Sequence, residues 1–126
     1  MKAVIAIVSI LFLPCILIAQ PSSQGVLARD LERALANLSE LERNLSPMHR
    51  GLVEPLEFVA DQLILEGRYE QAHRALDRAI QIVRVSEGLF TTSQFPYQEK
   101  KVLNIVNSGN WDDARVQLDH LFWLYT

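Results

Sequence analysis

The amino-acid sequence predicts an all-α fold from three observations. Apolar residues recur every three to four positions from residue 26 onward, capping residues and glycines separate those stretches, and no period-two strand pattern occurs there. The first helix is marked by Leu27, Leu31, Ala34, Leu38, Leu41 and Leu45, with Arg29, Glu32, Arg33, Glu40, Glu42 and Arg43 on other faces. Asn44, Ser46 and Pro47 end it, because proline disfavours helical geometry in the residue before it. A second helix is expected from about Arg50 to Glu66, with Leu52, Leu56, Val59, Ala60 and Leu63 on one side and Gly67 as its stop. A third follows from Tyr69 to Glu87, apolar at Ala72, Ala75, Leu76, Ala79, Ile80 and Val83, and stopped by Gly88. Leu89 to Phe95 reads as a connector. A fourth helix, Pro96 to Ser108, carries Val102, Leu103, Ile105 and Val106 and ends at Gly109. Asn110 is a good N-cap for a fifth, with Asp112 and Asp113 placed where carboxylates meet the positive end of the helix dipole.

The chain has 126 residues, 49% hydrophobic and 21% charged, enough for one domain and too short for two substantial cores. Its first nineteen residues stand apart: Lys2, then an apolar run from Ala3 to Ala19 broken only by Ser9 and Pro14. A short positive end, an apolar stretch and small Ala19 have the pattern of a signal peptide over 1–19, cleaved after Ala19, with 20–25 as a flexible leading segment and 26–126 as the helical domain. Leu17 is larger than such cleavage sites prefer, so an uncleaved N-terminal anchor in the inner membrane is the alternative. Pro14 before Cys15 argues against lipidation, and loss of the leader would remove the sole cysteine and with it any disulfide or thiol chemistry. Removing Lys2 takes the formal charge from −3 to −4, which together with the lack of a basic stripe speaks against a nucleic-acid partner.

Two segments repeat. GRYEQAHRALDRA, Gly67 to Ala79, aligns with GNWDDARVQLDHL, Gly109 to Leu121, at an offset of 42 residues: glycine, an aromatic two places on, alanine at five, leucine at nine, aspartate at ten. Gly67 and Gly109 would turn the chain between antiparallel helices, Ala72 and Ala114 would let helices approach closely, and Tyr69 and Trp111 would plug the crossings. These residues resemble the tetratricopeptide repeat. In that family's 34-residue frame, a copy starting at Val53 puts Leu56, Val59, Ala60, Leu63, Ala72, Leu76 and Ala79 on apolar or small positions, with Arg84 where proline is usual. A copy starting at Phe95 fits at Val102, Ile105, Ala114 and Leu118 but departs at Gln98, Lys101 and Leu121. The longer spacing looks like the repeats of kinesin light chains and of many exported bacterial proteins. The resemblance implies a right-handed stack of antiparallel helix pairs, an α-solenoid of about five helices: a degenerate leading half-repeat at 26–49, a first repeat at 50–88 and a second at 95–126.

In such arrays the first helix of each pair lines a concave groove. Carried over by position, the groove would present Glu54, Glu57, Asp61, Ile64 and Leu65 from one helix and Glu99, Leu103, Val106 and Asn107 from the next. An acidic stripe beside aliphatic side chains suits a partner segment bearing lysine or arginine next to apolar anchors, while an ordinary solvated face is the plainer reading. Glu57 and Asp61 stand where one subtype of these repeats binds a C-terminal carboxylate with basic and amide groups, and their charge excludes that ligand. A second candidate is the end of the last helix, where Leu121, Phe122, Trp123, Leu124 and Tyr125 are apolar nearly all round and no polar capping helix follows; they would dock a partner or a second copy, or pack back on the Leu89–Phe95 connector. The Leu27–Leu45 stripe reads as internal packing, with a coiled-coil dimer as the alternative.

Catalytic signals are weak. His49, His73 and His120 lie in separate segments without metal-ligand spacing, and there is no GxSxG or glycine-rich phosphate loop. The expected function is therefore a non-catalytic interaction adaptor, periplasmic or secreted, without cofactor or metal, holding another protein. A self-assembling, homodimeric subunit of the cell envelope is the alternative. No membrane contact is expected once the leader is cleaved.

Overall fold

The computed structural model describes residues 23–126, so the leader expected at 1–19 lies outside the described residues. Among the described residues there are five α-helices: α1 Ser23–Asn44, α2 Val53–Leu65, α3 Tyr69–Glu87, α4 Phe95–Asn107 and α5 Trp111–Tyr125. There is no strand among the described residues. Short 3-10 turns at Arg50–Leu52 and Thr92–Gln94 lead into α2 and α4. Two boundaries move relative to the sequence pattern. The chain is already helical at Ser23, inside the expected leading segment, and Arg50–Leu52 is a 3-10 turn because the His49 ring Nδ1 accepts from the Gly51 amide and starts a tighter coil.

The secondary structure recurs at the same 42-residue offset as the sequence. The two 3-10 turns begin at residues 50 and 92, α2 and α4 begin at 53 and 95 and have 13 residues each, and α3 and α5 begin at 69 and 111. The turns between paired helices match in detail. Gly67 has φ 72° and Gly109 φ 81°, a left-handed conformation that a side chain would disfavour. In both, the glycine amide donates to a carbonyl three residues back, at Ile64 or Val106, and the following amide reaches Leu63 or Ile105. The last carbonyls of α2 and α4 are thereby satisfied as the chain reverses.

Packing follows chain order. α1 lies on α2, α2 on α3, α3 on α4 and α4 on α5. The main core sits among the first three: Leu31, Ala34 and Leu38 of α1, Leu56, Val59, Ala60 and Leu63 of α2, and Ala72, Leu76, Ala79, Ile82 and Val83 of α3 are all buried. Leu41 and Leu45 pack against it, so the leucine stripe of α1 is used internally rather than as a coiled-coil seam. Glu42 pairs with Arg78, tying α1 to α3 at the edge of this core. Ala72 and Ala114 are both buried, as their small size at a helix contact requires. Tyr69 is half-buried, but Trp111 is 67% exposed and so does not plug a crossing, and Leu118, expected at an apolar position of the second copy, is 51% exposed. The difference is physical: α3 is covered on both flanks by α2 and α4, whereas α5 packs chiefly on α4 among the described residues.

Arg50 Nε lies 2.9 Å from Glu87 Oε1 and fastens the end of α3 to the turn before α2. Hydrogen bonding from Ser93 and then the Arg50 guanidinium hold the Glu87 carboxyl below its ordinary range. A depressed folded-state value means that this contribution is present above pH 4.5 and is lost as the pH falls through the lowered value. Urea unfolding of the wild type and Glu87→Gln should therefore differ at neutral pH and converge in acid. A gap that stays constant or widens on acidification would remove Glu87 from this role.

Candidate functional site

The outward face of α2 is defined by spacing. Glu54, Phe58, Asp61 and Leu65 stand four, three and four residues apart and share one side of the helix, opposite buried Leu56, Val59, Ala60 and Leu63. Phe58 is 51% and Leu65 61% exposed. On α4 the corresponding face carries Glu99 and Leu103, the latter 62% exposed, with Val106 half-buried and Asn107 exposed. Ile64 is half-buried against the core.

Lys100 joins the two faces. Its Nζ lies 2.6 Å from Glu57 Oε1 and 2.8 Å from Asp61 Oδ1, so one α4 cation binds two α2 carboxylates. Burial opposes the lysine's charge, but the bonds to Asp61 and Glu57 outweigh it and raise the Lys100 pKa above its ordinary value. Glu57 and Asp61 are thus not the open acidic pair that their spacing suggested: they are partly buried and engaged. Glu54 remains exposed, and Glu99 accepts a 2.9 Å hydrogen bond from the Tyr125 hydroxyl. Two carboxylates share one lysine, and Glu54 and Glu99 add two more on the same helices, so the charged side chains near Phe58, Leu65 and Leu103 sum to a net negative charge.

Phe58 was not among the sequence candidates. Its position midway between Glu54 and Asp61 was a usable signal, but a single aromatic on a helix reads as core until packing shows which face is covered. Lys100 was missed for a different reason, because a contact 39 and 43 residues away in sequence has no local signature.

The second candidate resolves into parts. Leu121 is buried at 7% and belongs to the α4–α5 contact, while Phe122, Trp123 and Tyr125 are 73%, 61% and 55% exposed. The end of α5 does reach the connector: Tyr125 stacks on Phe95 at 4.1 Å between ring centroids, and Trp123 lies 6.2 Å from Phe90. These contacts position the helix end without covering it.

Buried polar groups shape the surroundings. Gln98, a departure from the repeat pattern, is buried at 4%, and Lys101, the other, pairs with Asp77 of α3 at 2.6 Å. Asn104, 1% exposed, donates from Nδ2 to the Tyr69 carbonyl at 2.8 Å and ties α4 to the start of α3. The histidines are dispersed: His49 caps a turn, His73 Nε2 lies 3.3 Å from Asp77, and the His120 ring sits 6.2 Å from that of Trp123. No helix among the described residues is long and apolar enough to cross a membrane. Comparison with known protein families, with curated proteins and with solved structures yields no match.

Proposed function

We propose that this chain is a small, non-catalytic adaptor of the tetratricopeptide type that holds a partner protein on the joint face of α2 and α4. The observation that carries the reading is the exposed strip of Phe58, Leu65 and Leu103 within a net-negative frame of Glu54, Glu57, Asp61 and Glu99. Apolar side chains give a partner area to bury, and surplus negative charge selects one with lysine or arginine beside its own apolar anchors. The recurrence of turns and helices every 42 residues, with packing in chain order, supports a stacked-repeat architecture, in which neighbouring pairs build one continuous surface. The leader pattern of residues 1–19 supports export, to the periplasm or beyond.

Photocrosslinking in cells from positions 58 and 103, followed by mass spectrometry, tests the reading. A discrete foreign protein caught through a basic, apolar segment is expected, with loss of capture in the Glu54→Lys, Leu103→Asp variant and weakening at high salt. Capture unchanged by that variant, or none from either position, would sink it. The exposed face of α5 favours a second reading, a self-assembling subunit, which is compatible with the first.

A further inference from the structure

The outer face of α5 repeats a surface that α3 buries. Leu76, Ile80 and Val83 of α3 are exposed by 0%, 3% and 0%, on a helix that packs against both α2 and α4. Forty-two residues on stand Leu118, Phe122 and Tyr125, exposed by 51%, 73% and 55%. The same helix positions carry large side chains with apolar bodies, yet each stays more than half exposed among the described residues, Tyr125 meeting only Phe95 and Glu99 along one edge. With Trp111 and Arg115 they form one stripe: 111, 118 and 125 are seven apart, as are 115 and 122, and all five fall within an arc of about 80°.

We propose that this stripe is a two-fold interface in which α5 packs antiparallel on α5 of a second copy of the chain. Three observations select that occupant. First, the stripe is nearly symmetric about Leu118. Trp111 and Tyr125 lie seven residues to either side and Arg115 and Phe122 lie three and four, so a two-fold axis through Leu118 sets Trp111 against the partner copy's terminal turn and Arg115 against an aromatic ring. Second, among the described residues a head-to-tail stack is disfavoured by α1, the helix at the other end of the packing order. The exposed face of α1 is dominated by Arg29, Glu32, Arg33, Glu40 and Arg43, with Val26 and Leu35 its only exposed large apolar side chains, and it offers no matching surface. Third, the area is sufficient. Trp111, Phe122 and Tyr125 leave roughly 300–500 Å² of aromatic surface uncovered per chain. Leu118 and the stem of Arg115 bring this to the roughly 500–600 Å² per side buried by small specific interfaces. The pairing leaves the α2–α4 strip untouched and does not depend on the adaptor reading.

Sedimentation velocity of the purified protein, over a wide concentration range, tests the pairing. A concentration-dependent dimer is expected. Leu118→Glu and Phe122→Glu, both at exposed positions, should each raise its dissociation constant on the order of 30-fold or more while leaving the helical circular dichroism and melting temperature of the monomer unchanged. In a Cys15→Ser background, Leu118→Cys should oxidise to a disulfide-linked dimer more readily than a cysteine at exposed Val116, which lies off the stripe. The adaptor variant Glu54→Lys, Leu103→Asp should dimerise normally, so failure of either reading shows separately. A monomer at every concentration, a dimer that survives both glutamate variants, or equal crosslinking from 116 and 118 would overturn the proposal.

Discussion

Leu76→Ala should lower the free energy of unfolding by about 3 kcal/mol and the melting temperature by roughly 12–20 °C. Leu76 is fully buried at the middle of α3, inside the core shared by α1, α2 and α3. Truncation removes its transfer free energy and leaves a cavity that the surrounding helices can only partly close, since Ala72 and Ala79 on the same face are already too small to fill it. For a domain of this size such a loss is a large share of total stability. Leu103→Ala is the matched control: the same chemical change at 62% exposure should stay within about 0.5 kcal/mol. Chemical unfolding followed by circular dichroism checks both. A cost below about 1 kcal/mol at Leu76, or equal costs at the two sites, would mean that the core does not lie where the structure puts it.

Gln94→Leu should cost about 2–4 kcal/mol, although the position lies in a connector and the swap makes the chain more apolar. Gln94 is fully buried. Its Oε1 accepts from Arg84 Nε at 2.6 Å, and its Nε2 donates to the carbonyls of Leu89 and Thr91 at 2.9 and 3.0 Å. Leucine would leave a guanidinium donor and two carbonyls without this partner, and the cost of a stranded buried group exceeds what its hydrogen bond contributed. Gln94→Glu separates the two halves of the role. It keeps an acceptor for Arg84 but sets a carboxylate against two carbonyls, so it should also destabilise; if it is neutral, the connector carbonyls are reaching water instead. Because this connector delivers Phe90 and Phe95 to the end of α5, hydrogen exchange in Trp111–Tyr125 should quicken in both variants.

Arg84 illustrates how a departure from a pattern becomes meaningful. It stands where the proposed repeat frame would have proline. In the structure it is the residue that anchors the longer connector through Gln94. Gln98 and Lys101 behave similarly: polar where apolar residues were expected, one is buried and the other pairs with Asp77. A hydropathy pattern registers only that such residues do not fit, since their partners lie on other elements.

The sequence by itself determined the helical class, the five helices to within a few residues, the glycine turns and the 42-residue recurrence. All of these depend on short-range physics: the helical period, the conformations open to glycine and proline, and the N-cap at Asn110. The tertiary structure alone decided which faces are covered. Leu76 and Leu118 occupy equivalent helix positions, yet one is sealed and the other open, because α3 has a helix on each flank and α5 packs chiefly on α4 among the described residues. Glu57 and Asp61 read as a free acidic stripe until Lys100 of α4 was brought against them. Burial and ion pairing are properties of the space between elements, and a single helix does not encode what will stand beside it.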